Sequence, residues 1–165
     1  MPRYVRQRDQ YRCGPIAILN ALKWAGARVS SSDYLDYLTE LAVCGPSPRG
    51  TWHKTFDRAL RVAGEDFYSV RRIYYPTLGE IEFHLQDDGA IVLNYYWRID
   101  KEDVSSRHFQ LLVGMNASGD VLSVNRGGKQ PTLQRLTRET FKTDDLRFQR
   151  VDESYKAWFL TKEGE

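Results

Sequence analysis

Cysteine is scarce in this 165-residue chain, which has only Cys13 and Cys44. Two thiols make neither a disulfide framework nor a zinc-ligand pattern, so no metal ion or cofactor is expected. Histidine is almost as rare, with His53, His84 and His108. No stretch approaches the roughly 18 apolar residues of a membrane helix. The opening residues Met1-Pro2-Arg3-Tyr4 lack the apolar centre of a secretory signal. Charge of one sign is also missing. A net charge of +2 is too weak to argue for nucleic acid. There is no internal repeat, low-complexity tract or linker. These absences point to a cytoplasmic chain whose partners are neither membrane nor nucleic acid.

What remains is ordinary globular material, 41% hydrophobic and 28% charged. The length fits one domain spanning residues 1–165 and can bury one core without a metal or disulfide. Arg3, Arg6, Arg8 and Arg12 read as a solvated basic arm. From Cys13 to Ala25 apolar residues cover nearly every helical face, with no charge before Lys23, and this predicts a buried helix. Pro15 suits its first turn and Gly26 its end. A second helix follows Ser30, which has capping-box spacing to Asp33. Leu35, Leu38 and Leu41 form its stripe. The segment from Cys44 to Gly50, with two prolines and two glycines, reads as a loop. A third helix runs from Thr51 to Ala63. A short strand is expected over Phe67–Arg72, and Thr77 with Glu80 caps a fourth helix ending near Asp88-Gly89.

The rest reads as strands: Ala90–Trp97, His108–Met115, Asp120–Arg126, Arg147–Val151 and Ala157–Thr161, with a short helix at Thr137–Phe141. In His108–Met115, Phe109, Leu111, Val113 and Met115 share one face, and His108, Gln110, Leu112 and Gly114 the other. Helices first and sheet afterwards make an α+β arrangement.

A thiol is a nucleophile only as thiolate, and an unperturbed cysteine ionises near pH 8.5. A helix N-terminus and a nearby imidazolium both lower that value. Cys13 opens the most buried helix and has the first device by position alone. Six residues earlier, Gln7 offers a side-chain amide that can join the Cys13 N–H in an oxyanion hole. Gln10 is its competitor, three residues away. His108 opens a strand and is the candidate base, whereas His53 and His84 fall on helices and are expected to face solvent. If the hairpin turn has four residues, Asn116 to Gly119, His108 faces Gly127. Asn125 then lies diagonally on the same face, where its amide oxygen can orient the imidazole. A three-residue turn would put the pair on opposite faces. Cys44 is the rival nucleophile, but Leu38 stands six residues before it and a Pro-Ser-Pro loop follows it.

Gln7 followed by Cys13-Gly14-Pro15, then His108-Phe109, then Asn125, resembles the bacteriocin-processing, double-glycine-leader peptidases of the papain-like superfamily. Gly50-Thr51 through Leu60 and Gly64 is similar to that family's second helix region. Thr77-Leu78 through Leu85 to Gly89-Ala90-Ile91-Val92-Leu93 resembles its helix and strand before the histidine. The resemblance spans roughly residues 7 to 128. It implies a papain-like fold, N-terminal helices with a buried central helix packed on a C-terminal antiparallel sheet. It also implies Cys13 as nucleophile, His108 as base and Gln7 in the oxyanion hole, acting on a protein or peptide. Asn125-Arg126 stands where these peptidases have Asp-Pro. Papain-like enzymes more widely use asparagine there. Two other readings remain open. One is a deamidase or acyl transferase using the same residues. The other is a non-catalytic binding module that keeps the fold.

Overall fold

The computed structural model describes residues 2–9, 11–45, 51–96, 107–126, 131–150 and 155–164. The apolar segment after Arg12 forms α1, Cys13–Trp24, in which every residue but Lys23 is buried. Gly26, at φ 92°, ends it. The Gly26 and Ala27 N–H groups turn back to the carbonyls of Lys23 and Leu22 at 3.1 and 2.9 Å, satisfying two orphan acceptors. Helix α2, Ser31–Leu41, buries Leu38 and half-buries Leu35 and Leu41. Ser30 stands at its N-cap, but its side chain makes no capping bond, so spacing alone misled there. Helix α3, His53–Ala63, buries Phe56, Ala59, Leu60 and Ala63 on one side. Helix α4, Leu78–Gln86, has the expected reciprocal box: Thr77 Oγ1 accepts from the Glu80 N–H, and Glu80 accepts from the Thr77 N–H.

The strands are β1 Tyr68–Tyr74, β2 Ala90–Tyr96, β3 Arg107–Met115, β4 Val121–Val124, β5 Leu133–Leu136 and β6 Lys156–Lys162. They form one sheet of order β1-β6-β2-β3-β4-β5, antiparallel throughout. Alternation splits the side chains between two cores. Ala90, Val92, Phe109, Leu111, Trp158 and Leu160 pack with α1, α2 and α3. Ile91, Leu93, Leu112, Ala157 and Phe159 pack with Ile81 and Leu85 of α4 and with Phe141 and Phe148. The sheet is therefore covered on both faces.

Two expectations in the last third of the chain change. Leu133–Leu136 forms β5, which the sequence pattern did not separate from its surroundings. The strand expected over Arg147–Val151 is instead 3-10 helix, Leu146–Arg150. It continues a short helix, Arg138–Thr140, and a π-helical turn, Phe141–Asp145. Phe141, Asp145 and Phe148 are its buried residues, at i, i+4 and i+7, so helical spacing overrode the local alternation. Val151 lies outside the described residues, as do Trp97, Gly127 and the loop positions from Pro46 to Gly50.

The β3–β4 hairpin carries the register that matters. Its turn has three residues, with Asn116 N–H donating to the Asp120 carbonyl at 3.1 Å and Gly119 left-handed at φ 84°. Alone, this would set His108 and Asn125 on opposite faces. A bulge between Leu112 and Gly114 shifts the ladder by one, pairing Leu112 with Ser123 and Leu111 with Val124. That is the register a four-residue turn would have given.

Candidate active site

Cys13 lies buried at the first turn of α1, beside β3. The backbone N–H groups of Phe109, one residue beyond His108, and of Gly14 face its sulfur. These donors favour a thiolate, but burial outweighs them and pushes the thiol up to about 11. Thr51 fills the space beside Gly14, where a Cβ would come within 2.8 Å of its hydroxyl oxygen, so a side chain at 14 would displace it. That hydroxyl is buried and has no hydrogen-bond partner among the described residues.

His108 is also buried, on strand β3 beside Tyr95 of β2. Its own carbonyl accepts from Asn94 Nδ2 at 3.1 Å, which fixes the strand end. Its ring hydrogen-bonds to the backbone carbonyls of Asn125 and Arg126. Burial dominates over those bonds and lowers the imidazole to about 3, with the Arg126 charge adding to the drop. At neutral pH both Cys13 and His108 are therefore uncharged.

Asn125 sits just past the end of β4, at φ 54°, a left-handed conformation that asparagine tolerates better than most residues. Its N–H donates to the Thr132 carbonyl at 2.7 Å, and its carbonyl faces the His108 ring. Its side chain turns the other way. Oδ1 accepts from the Gln7 N–H at 3.0 Å, and Nδ2 donates to Gln7 Oε1 at 3.4 Å. The amide orientation follows from the first bond, because a backbone N–H needs an acceptor.

Gln7 reaches this position because the N-terminal segment is docked rather than free. Asn20, buried in α1, accepts from the Val5 N–H at 2.7 Å and donates to the Val5 carbonyl at 2.9 Å. Tyr4 and Val5 pack against the α1 core, while Arg3, Arg6 and Arg8 are exposed. The expected solvated arm is thus exposed at Arg3, Arg6 and Arg8, whereas Arg12 is half-buried and ion-pairs with Asp9 and Asp36 at 3.7 and 3.9 Å. Gln10, the rival oxyanion donor, lies outside the described residues.

The structure brings Gln7, Asn125 and His108 into one chain of contacts, with Cys13 against the residue that follows His108. Of the other candidates, His84 does not face solvent freely: its Nε2 lies 2.8 Å from the Leu160 carbonyl. Cys44 is half-buried, and its thiol donates to the Tyr11 carbonyl at 3.4 Å. A buried network under His108 escaped the sequence reading. Gln110 donates to Ser123 Oγ and to Asp145 Oδ2, both at 2.8 Å, and accepts from the Tyr95 hydroxyl. Arg126 pairs with Asp145 at 2.7 Å. Gln110 and Ser123 could have been suspected as polar residues on inward-facing positions. Asp145 could not, because the helix that carries it was not expected.

No helix among the described residues is long and apolar enough to cross a membrane. The sequence matches no protein-family profile and no curated protein. Its fold does have solved counterparts. A Bacillus anthracis protein assigned to the C39-like peptidases superposes with a TM-score of 0.65 at 11% identity, over 99% of this chain and 96% of its own. A double-glycine motif protease from an AMS/PCAT transporter, solved in complex with the leader peptide, gives 0.58 at 14% identity, over 97% and 91%. The chain thus has an α+β fold similar to those of these two proteins along almost its whole length.

Proposed function

We propose that the protein is a cysteine peptidase of the papain-like kind, cleaving a peptide or isopeptide bond through an acyl-enzyme on Cys13. The observation that carries this reading is a thiol at a helix N-terminus, held against the backbone of the strand that carries His108. In the first step the thiol proton passes to His108 as the sulfur attacks the carbonyl carbon. The oxyanion so formed takes hydrogen bonds from the Cys13 N–H and the Gln7 amide. His108 then gives its proton to the leaving amine. It next removes one from water, whose oxygen attacks the thioester, and the product acid leaves with the thiol restored.

The pKa values suit a neutral resting pair. Burial opposes a lone thiolate or a lone imidazolium, but proton transfer between them creates both charges together and keeps the net charge unchanged. A peptide substrate is supported by the fold neighbour solved with a leader peptide. Deamidation or acyl transfer would use the same groups with another leaving or attacking amine. The non-catalytic alternative draws on the same burial, since a thiol held near 11 is inert unless an imidazole takes its proton.

A peptidyl acyloxymethyl ketone followed by peptide mapping separates these readings. The expected result is labelling at Cys13 that disappears in Cys13→Ala and His108→Ala. Labelling unaffected by His108→Ala, in a protein that remains folded, would overturn the catalytic reading.

A further inference from the structure

We infer that Asn125 is a positioning residue for the oxyanion donor Gln7, and that its side chain does not orient the base. The inference rests on the proposed hydrolase reading and deepens it. The Asn125 side chain spends both ends of its amide on Gln7, accepting from the backbone N–H and donating to the side-chain oxygen. With Oε1 held there, the Gln7 Nε2 points away from Asn125, and it makes no hydrogen bond among the described residues. An oxyanion hole requires a donor whose other end is fixed before the charge develops, and the Asn125 amide supplies that fixing for Gln7.

The imidazole is served differently. It bonds to the carbonyls of Asn125 and Arg126, which are backbone atoms present whatever side chain stands at 125. Arg126 is anchored through its guanidinium to buried Asp145, so this wall is held independently of the Asn125 amide. Asn125 therefore joins two functions through two different parts of one residue.

The exchange Asn125→Asp discriminates. It is nearly isosteric, and aspartate also tolerates left-handed backbone. A carboxylate still accepts from the Gln7 N–H, but it has no donor for Gln7 Oε1. The glutamine amide then inverts, giving its Nε2 to the carboxylate and presenting its oxygen to the oxyanion site. If the side chain instead oriented His108, the added charge would raise the imidazole pKa and sustain the reaction.

Two probes read these possibilities on the full chain without a known substrate. Acylation of Cys13 by p-nitrophenyl acetate passes through an oxyanion, whereas alkylation by iodoacetamide does not. Both are followed on the Cys13 peptide by mass spectrometry. In Asn125→Asp, acylation should slow on the order of 10²-fold, as expected for one lost donor. Alkylation should change far less than acylation. Gln7→Ala should behave alike, and the double variant should be no slower than Gln7→Ala, because the two act as a unit. Gln7→Ala lies in a half-buried arm and keeps the test open if Asn125→Asp fails to fold: its acylation should slow while its alkylation holds. Wild-type acylation in either single variant would overturn the inference, as would alkylation slowed as much as acylation in Gln7→Ala. Wild-type Cys13 inert to both probes would overturn the hydrolase reading and this inference with it.

Discussion

The tripeptide Cys-Gly-Pro occurs twice, and its two cysteines stand at opposite ends of their respective helices, α1 and α2. Cys13-Gly14-Pro15 opens α1, where N–H groups point at the sulfur. Cys44-Gly45-Pro46 follows the end of α2. The Cys44 N–H closes that helix on the Thr39 carbonyl at 2.9 Å, and its thiol donates to another carbonyl, that of Tyr11. One thiol faces backbone donors and the other faces a backbone acceptor. Three residue names do not make a nucleophile. Position relative to the helix dipole and the surrounding backbone does.

The largest test of that contrast is activity. Cys13→Ala should abolish cleavage of any substrate found for this protein, and Cys44→Ala should leave it unchanged, both measured by turnover on the same peptide. His108→Ala should cost nearly as much as Cys13→Ala, and the double variant no more, because nucleophile and base act together. Equal losses from Cys13→Ala and Cys44→Ala would erase the distinction between the copies.

A second effect lies in stability against pH. The folded imidazole titrates near 3 against an ordinary 6.5, so as pH falls below 6.5 the unfolded chain takes a proton that the folded one refuses. Stability should drop by about 4–5 kcal/mol between those values. Replacing His108 with Gln should remove that portion of the acid loss. The Cys13 shift runs the other way. Its folded thiol ionises near 11 against an ordinary 9, so stability is retained below 9 and lost between 9 and 11. Cys13→Ser should remove the part of the loss that sets in above pH 9, while the part above pH 10 persists because burial also pushes up the Tyr4, Tyr68 and Tyr95 hydroxyls, and Cys44→Ser should leave most of both in place. Urea denaturation across pH 3 to 11 measures all of these. A wild-type acid limb in His108→Gln would show that the loss belongs to other groups.

The smallest effect concerns how the second copy is held. Helix α2 ends in the same pattern as α1, but the left-handed position that α1 gives to Gly26 falls to Val43, at φ 53°. A β-branched residue pays a steric penalty there. Val43→Gly should raise stability by about 0.5–1 kcal/mol, after allowing for the added freedom of the unfolded chain. A thermal melt with no upward shift would mean that the half-turn is relaxed in solution.

Much of this was readable from the chain. The buried face pattern of α1, the Thr77–Glu80 box and the alternation of β3 rest on local spacing, and each formed as expected. The glutamine-to-cysteine spacing singled out Gln7, whose backbone and side chain meet the Asn125 amide. What stayed hidden depends on partners distant in sequence. Ser30 had the right spacing but no bond. Asp145 is buried only because Gln110 and Arg126 meet it. The direction of the Asn125 amide was invisible because it is decided by Gln7, 118 positions away.

The bulge in β3 has one more consequence. The hairpin behaves like a text read in a frame, and the frame is shifted by one at Gly114. That residue has φ 154° and room for a Cβ, its nearest neighbour there being Leu122 at 4.0 Å. The strain of that backbone, rather than crowding, is what reserves the position for glycine. Were the bulge ironed out, Asn125 would come opposite Leu111 instead of Gln110, and would turn toward the α1 core. A single glycine well up the strand thereby determines which side of the sheet can see His108.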